Sequence, residues 1–373
     1  MIQVLGVHGK SMLTRFIDFP HELYKDDPNY VPELFVSQAA LLSPRKNPFF
    51  LHAEAALYLA EKDGKTVGRI AAVFNRNHNR FTGRQDGFFG FFDCIDDAGV
   101  AGALFDAARD FLEKCGAKAV IGPVNPSTND PCGVLIEGFD RPPVVMMTYN
   151  ARYYDPLLRG LGLEKWTDLL AYEIRREELS SRVLALREPL LGRLASKGIT
   201  IRAVRMNDFK AEAERIKKVY NSAWDKNLGF VPMTDAEFDR LARELKQIVK
   251  PEMCLVAEKE GEVVAWLLGI PDLNQVLIRI KRGRLFPTGL FKLLTGIRNI
   301  TTVRVMTLGV LEPFRKLGIE SALYMTLIKN LEGTKIDTAE CSWLLEDNKA
   351  ITSAVEKLNA RPYKRYRLYT KKI

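Results

Sequence analysis

The segment LGVLEPFRKLGIESAL, Leu308 to Leu323, reads as the end of a strand, a turn and the start of a helix. The strand Thr302 to Val310 runs into it. Pro313 stiffens the turn, and Ala322, Leu323, Met325, Leu327 and Ile328 then recur at helical spacing. Gly318 has no Cβ and lets another group approach the backbone closely. The first amides of a helix have no intrahelical acceptor and sit at the positive end of its dipole, so this turn is suited to a pyrophosphate. Arg315 and Lys316 add positive charge.

Working outward, strands are expected at Ile199 to Val204, Cys254 to Glu260, Val263 to Ile270, Ile336 to Trp343 and Arg361 to Lys371, with helices between them. Asn207 and Asp347 are candidate N-caps. The pattern is that of a mixed α/β domain.

An internal repeat extends this plan to the first half. AEKDGKTV (Ala60 to Val67) lies on AEKEGEVV (Ala257 to Val264), each an acidic-Gly hairpin turn between apolar strands. At the same offset Leu161 falls on Leu358 and Tyr172 on Tyr369. Between these matches the register slips, because each half carries its own insertion, at Pro126 to Thr148 and at Pro271 to Gly296. Two tandem domains follow, 1–176 and 199–373, joined by a linker at 177–198.

The chain has 373 residues, 47% apolar and 27% charged, ample for two hydrophobic cores. Its net charge of +9 is concentrated, since no Asp or Glu occurs between Leu273 and Leu311. Such a stretch attracts phosphate, on a cofactor, an anionic membrane or a nucleic acid. The five cysteines are scattered with no zinc-site spacing, so no metal is expected and a reduced cytoplasmic compartment fits. No export signal is legible in MIQVLGVHGK. No apolar run reaches the ~18 residues of a spanning helix, which leaves peripheral contact at the inner membrane face as the membrane role.

The strand ending in Val310, the turn Arg315-Lys316-Leu317-Gly318 and the helix behind it resemble the GNAT acyltransferase superfamily. The later elements, Ile336 to Trp343, Asn348 and VEKLNARPYKRYRLY, match the family's order over nearly all of the second half. The phrases NPSTND, GRLFP and SWLLEDN are also similar to those of uncharacterised bacterial two-domain GNAT proteins. The resemblance implies two tandem GNAT-like domains, each a mixed, mostly antiparallel sheet flanked by helices. It implies acetyl-CoA or a longer acyl-CoA as co-substrate, bound by Leu308, Val310, Arg315, Lys316, Leu317, Gly318 and Ile319, with Asn348 beside the pantetheine arm. Two departures stand out. Glu320 occupies the family's second small position, and the family's acid tyrosine is replaced by Val355.

Acyl transfer needs a neutral amine, so a base must take its proton. Glu340 is the leading candidate, and an ordinary surface ion pair is the competing role. In the first half the matching turn, Asp96-Asp97-Ala98-Gly99-Val100, is acidic and would repel a pyrophosphate. That half is therefore expected not to bind CoA. Its insertion is rich in amides and hydroxyls, and Asn125, Ser127, Asn129 and Tyr149 are candidates for lining an acceptor pocket.

The expected function is N-acyl transfer from acyl-CoA to a small or lipid-like amine. GRLFPTGLFKLL, within 279–298, is the candidate for membrane contact. Two alternatives are an aminoacyl-tRNA-dependent transferase and a non-catalytic CoA-sensing or nucleic-acid-binding module. The pyrophosphate turn argues against the first. Nucleic-acid binding would show itself in a steep salt dependence.

Overall fold

The computed structural model describes residues 1–223 and 228–373. The chain divides into two compact units: Met1–Leu169 with Asn274–Gly296 and Lys364–Ile373, and Leu170–Leu273 with Ile297–Tyr363. Each is a mixed, mostly antiparallel sheet flanked by helices, the α/β class read from the sequence.

In the first unit β1 (Ile2–Gly6), β2 (Ala53–Lys62), β3 (Lys65–Asn75) and β4 (Asp86–Cys94) pair antiparallel in chain order. β5 (Ala119–Gly122) then joins β4 in parallel, through the helix Ala98–Lys114. β4 is buried along its whole length, as the continuous run GFFGFF requires. The helix lays Val100, Leu104, Phe105, Ala108 and Leu112 on the sheet at spacings of three and four residues. Burial of each large apolar side chain there contributes about 1.5–3 kcal/mol. β6 (Val134–Glu137) lies in the first half's insertion. β7 (Glu164–Arg175) carries the chain from the first unit into the second.

The second unit repeats the plan. β8 (Ile199–Ala203), β9 (Cys254–Lys259), β10 (Glu262–Pro271) and β11 (Thr302–Val310) pair antiparallel in chain order. β12 (Thr338–Leu345) joins β11 in parallel, through the helix Ile319–Asn330. Both hairpins that reveal the repeat turn as expected. Asp63 and Gly64 sit at φ 53° and 74°, Glu260 and Gly261 at 52° and 83°, the two positive values that a tight hairpin turn demands.

The last strand, β13 (Arg361–Lys372), gives its residues from Lys364 onward to the first unit. There Tyr369, Thr370, Lys371 and Lys372 pair with Gly122, Ile121, Val120 and Ala119 of β5, and Arg365 to Arg367 pair with β6. The buried carboxylate of Asp168 fixes this strand: it accepts from Arg367 Nε at 2.7 Å and Nη2 at 2.9 Å, and from Arg365 at 3.3 Å. The stretch Asn274–Gly296 belongs to the first unit as well. Its Asn274 amide donates to the Pro143 carbonyl at 2.9 Å.

Some local expectations shift. The cap of the helix Lys349–Glu356 is Asn348 rather than Asp347, with its Oδ1 accepting from Ile351 N at 3.4 Å. A short 3-10 turn, Met206–Asp208, precedes the helix Phe209–Ala223, and its flanking residue is Arg205 rather than Asn207.

Candidate functional site

In the second unit β11 and β12 pair only from Thr302 with Thr338 to Val305 with Cys341. At Met306 a bulge interrupts the pairing with β10, and Thr307, Leu308, Gly309 and Val310 then remain bonded to β10 alone. The two parallel strands therefore part over Met306–Val310 and Ser342–Leu345. Met306, Thr307 and Leu308 are half-buried along that opening. Among the described residues the buried hydroxyl of Thr307 has no hydrogen-bond partner.

The chain leaves the opening through Leu311, whose amide donates to Val264, and turns at Glu312–Phe314. Arg315 Nε donates back to the Val310 carbonyl at 3.2 Å. Lys316 at φ 65° and Gly318 at φ 89° take the left-handed conformations that aim the turn at the helix start. Gly318 is the N-cap of Ile319–Asn330 and so offers no side chain to its amides. The first i→i−4 bond of that helix runs from Ala322 to the Gly318 carbonyl at 3.0 Å, leaving the amides before it for an outside acceptor. A Cβ on Gly318 would crowd Leu190 and Arg193 at 3.0 and 3.2 Å. Arg193, on the helix Arg187–Ala195, donates to the Leu317 carbonyl at 3.3 Å. It brings a third cation beside Arg315 and Lys316, one that the sequence reading leaves inside a linker.

Below the opening lies a buried polar cluster. Arg304 and Glu340 are register neighbours on β11 and β12 and are 2% and 1% exposed. Arg304 Nε stands 3.8 Å from Glu340 Oε2 and 3.2 Å from Ser342 Oγ, and its guanidinium lies 5.3 Å from the Trp343 ring. Ser342 Oγ donates to Glu340 Oε2 at 2.9 Å, and the half-buried Tyr363 hydroxyl donates to Oε1 at 3.4 Å. Burial outweighs the attraction of Arg304 and pushes the Glu340 carboxyl up to about 7, with Asp272 adding to the rise. Glu340 is thus neither at the surface nor in an ordinary exposed ion pair. Val355 is 1% exposed and faces the core, so it offers no acid.

The first unit has the same parting of parallel strands, since β4 and β5 pair only from Asp86 with Ala119 to Phe88 with Ile121. Here the opening is filled by the chain itself. Val124 N donates to the Phe89 carbonyl at 2.8 Å, and Asn125 Oδ1 accepts from Phe91 N at 2.6 Å. A Cβ on Gly90 would overlap the Val124 carbonyl, so only glycine admits this segment. The helix start is occupied too. Asp97 caps it, accepting from Gly99 N at 2.9 Å and Val100 N at 3.2 Å, and pairs with Lys62 at 2.9 Å.

The candidate donor-site residues Leu308 and Val310 lie at the end of β11, Arg315, Lys316, Leu317 and Gly318 in the turn after it and Ile319 at the start of the helix, with Asn348 capping a later helix of the same unit. The four candidate acceptor residues lie in the first unit. Ser127 Oγ donates to Asp130 at 2.6 Å and accepts from Asn129 N at 3.2 Å, and Tyr149 donates to Asp27 at 2.6 Å. Asn125 is the residue that fills the β4–β5 opening. Arg193, Arg304 and Tyr363 were not singled out from sequence.

Sheet order, the parted parallel strands and the helix that connects them are those of a GNAT fold, present here in two tandem copies. A tandem GNAT protein from the clavulanic acid biosynthesis pathway, solved without AcCoA, superposes over 100% of this chain and 98% of its own, with a TM-score of 0.59 and 10% identity. No protein-family model matches the chain. Protein YghO of Escherichia coli (strain K12) is 37% identical over 98% of this chain and 94% of its own length. Bacterial ceramide synthase of Caulobacter vibrioides (strain NA1000 / CB15N) is 33% identical over 100% and 98%. The chain belongs to the family of these two bacterial proteins.

Proposed function

We propose that this protein is an acyl-CoA-dependent N-acyltransferase with one donor site, in its second unit, and a long-chain amine as acceptor. The observation that carries the reading is the contrast between two copies of one site: the Gly318 turn leaves its amides free of a side-chain cap, while Asp97 and Asn125 fill the sister site. The name of the ceramide synthase relative supports the acceptor class, because a ceramide is a long-chain amino base acylated on nitrogen.

The residues present fit the donor. Arg315, Lys316 and Arg193 with the amides of Leu317 to Ile319 would hold the pyrophosphate, and the β11 edge from Thr307 to Val310 would pair with the pantetheine arm. Asn348 sits at the start of the helix that follows β12, where the arm would pass. The donor supplies a thioester carbonyl. The amine nitrogen attacks that carbon, the N–C bond forms, the C–S bond breaks, and the sulfur leaves as a thiolate stable enough to depart without an acid at Val355, taking up afterwards the second proton that the nitrogen sheds as the amide forms.

The ammonium proton must go first. Glu340, poised near neutrality, is the proposed base, and its burial means that Tyr363 or Ser342 relays the proton to it. Arg304 stabilises the carboxylate when it has given the proton up. Among the described residues no cluster of His, Cys, Asp and Glu could hold a metal ion. No described helix is long and apolar enough to cross a membrane, so a lipid-like acceptor would be met through peripheral contact within 279–298. An inner-face cytoplasmic location accords with that.

The test is thiol release from acyl-CoAs of increasing chain length, offered with long-chain and short amines. The parent should turn over and an Arg315→Ala, Gly318→Trp double variant should not. Failure of the parent to bind any acyl-CoA would end this reading. Binding without transfer to any amine would leave a CoA-sensing module instead.

A further inference from the structure

Most helices at a protein surface turn large apolar side chains inward and small or polar ones outward. The helix Gly289–Gly296 of the first unit does the reverse. Gly289 faces the protein so closely that a Cβ would overlap the Arg284 carbonyl and crowd Ile280, and one on Gly296 would crowd Val276. Outward stand Phe291 at 70% exposure, Leu294 at 62% and Leu290 at 38%, with Phe286 at 78% in the turn before them. On the helix Phe35–Leu41 of the same unit, Val36 is 56% exposed, next to Phe35, whose ring lies 3.5 Å from the Arg284 guanidinium.

This platform is held in place. Arg284 forms a two-pronged pair with Asp18 at 2.8 and 2.9 Å, and Arg282 pairs with Glu22. Gly283, at φ 61°, packs against the Glu33 carbonyl where no side chain would fit. With those two arginines neutralised, the exposed cations of the segment are Arg279, Lys281 and Lys292. No acid lies between Leu273 and Leu311 to offset them.

We propose that Phe286, Leu290, Phe291 and Leu294, rimmed by Arg279, Lys281 and Lys292, form a docking face for an anionic lipid bilayer. Apolar side chains clustered on a fixed helix, with cations of a single sign beside them, match the acyl boundary and the phosphate layer of such a surface. Within 274–296 every charged side chain is a cation, which suits a phosphate layer. The proposal gives the lipid-like acceptor a route to the protein, but it stands on the first unit's surface and is tested without any transfer reaction.

The experiment is flotation of the full chain with vesicles of phosphatidylcholine alone and of phosphatidylcholine mixed with phosphatidylglycerol, at low and high salt. The parent is expected to float with the mixed vesicles, less so at high salt. A Phe286→Ser, Phe291→Ser, Leu294→Ser variant should bind at least ~10-fold more weakly. A Lys281→Glu, Lys292→Glu variant should lose the salt-sensitive part. Thermal melts by circular dichroism identical to the parent's would show that both variants fold. The proposal is overturned if the parent stays with the protein fraction in every mixture, or if the serine variant floats as well as the parent. It is also overturned if the parent, without binding vesicles, is a dimer in sedimentation velocity that the serine changes dissociate, because a second copy then covers the face. Transfer assayed on a detergent-dissolved amine keeps the two questions apart: flotation with no transfer supports docking and condemns only the enzymatic reading, and transfer with no flotation does the opposite.

Discussion

Glu340 Oε2 and Arg304 Nε lie 3.8 Å apart on adjacent parallel strands, with the carboxylate 1% and the guanidinium 2% exposed. Withdrawal from water costs the carboxylate more than its partner returns, and its pKa stands at about 7. Between the ordinary carboxylate value and that point the folded protein keeps a proton that the unfolded chain has released. Glu340 thus favours folding most below the usual carboxylate range, and that contribution is lost as pH rises through about 7. Glu340→Gln, which does not titrate, should gain on the parent by roughly 1–3 kcal/mol between about pH 5 and about pH 8.5. Urea unfolding at both pH values measures this. A difference that stays constant with pH contradicts it.

Gly318→Ala places a side chain at φ 89° and against Leu190. The strain is about 1–2 kcal/mol, and the shifted turn should weaken CoA binding at least ~10-fold by calorimetry. Arg193→Ala removes a solvent-exposed cation and should weaken it only about threefold, more at low salt than at high salt. Equal affinity in the parent and the Gly318 variant would place the donor elsewhere.

Asn125→Ala strips the Phe91 amide of its 2.6 Å acceptor inside the first unit. The cost should be about 1–3 kcal/mol, at about 2–4 °C of melting temperature for each kcal/mol. CoA stoichiometry in titration should remain one per chain. A loss of CoA affinity in this variant would mean that the first unit takes part in donor binding.

His21 is held to about 4 by burial, with Arg69, Arg282 and Arg284 opposing its charge, so it folds neutral. Its contribution is present above the ordinary histidine value and is lost as pH falls towards 4, because the unfolded chain takes up the proton first. His21→Gln should flatten the fall in urea midpoint between about pH 6.5 and about pH 4. A parent whose midpoint is already flat over that range rules this out.

What the sequence made legible was local. The two hairpin turns, the strand Thr302–Val310 and the turn before Ile319 depend on residues a few positions apart, and glycine and proline mark them directly. The periodicity of β13 announces a strand, but nothing in YKRYRLYTKK says that its neighbour is β5. That choice rests on Asp168 and the partners at Gly122 to Ala119, far away in the chain. The inversion of the helix Gly289–Gly296 was hidden for a related reason: alternating glycines and large apolar residues fit either orientation until the surface beneath is known. Arg304 and Tyr363 read as ordinary polar positions on strands, since burial of a charge is decided by what stacks above it.

Because residues 364–373 complete the sheet of the first unit, the half synthesised first is finished last. On the ribosome β5 emerges long before its partner, and the exposed edge from Ala119 to Gly122 must stay unpaired until the second unit has been made. Damage to the end of this sequence should therefore be felt at its beginning: a chain cut before Lys364 should expose its N-terminal half to limited proteolysis while the segments around Gly318 stay protected.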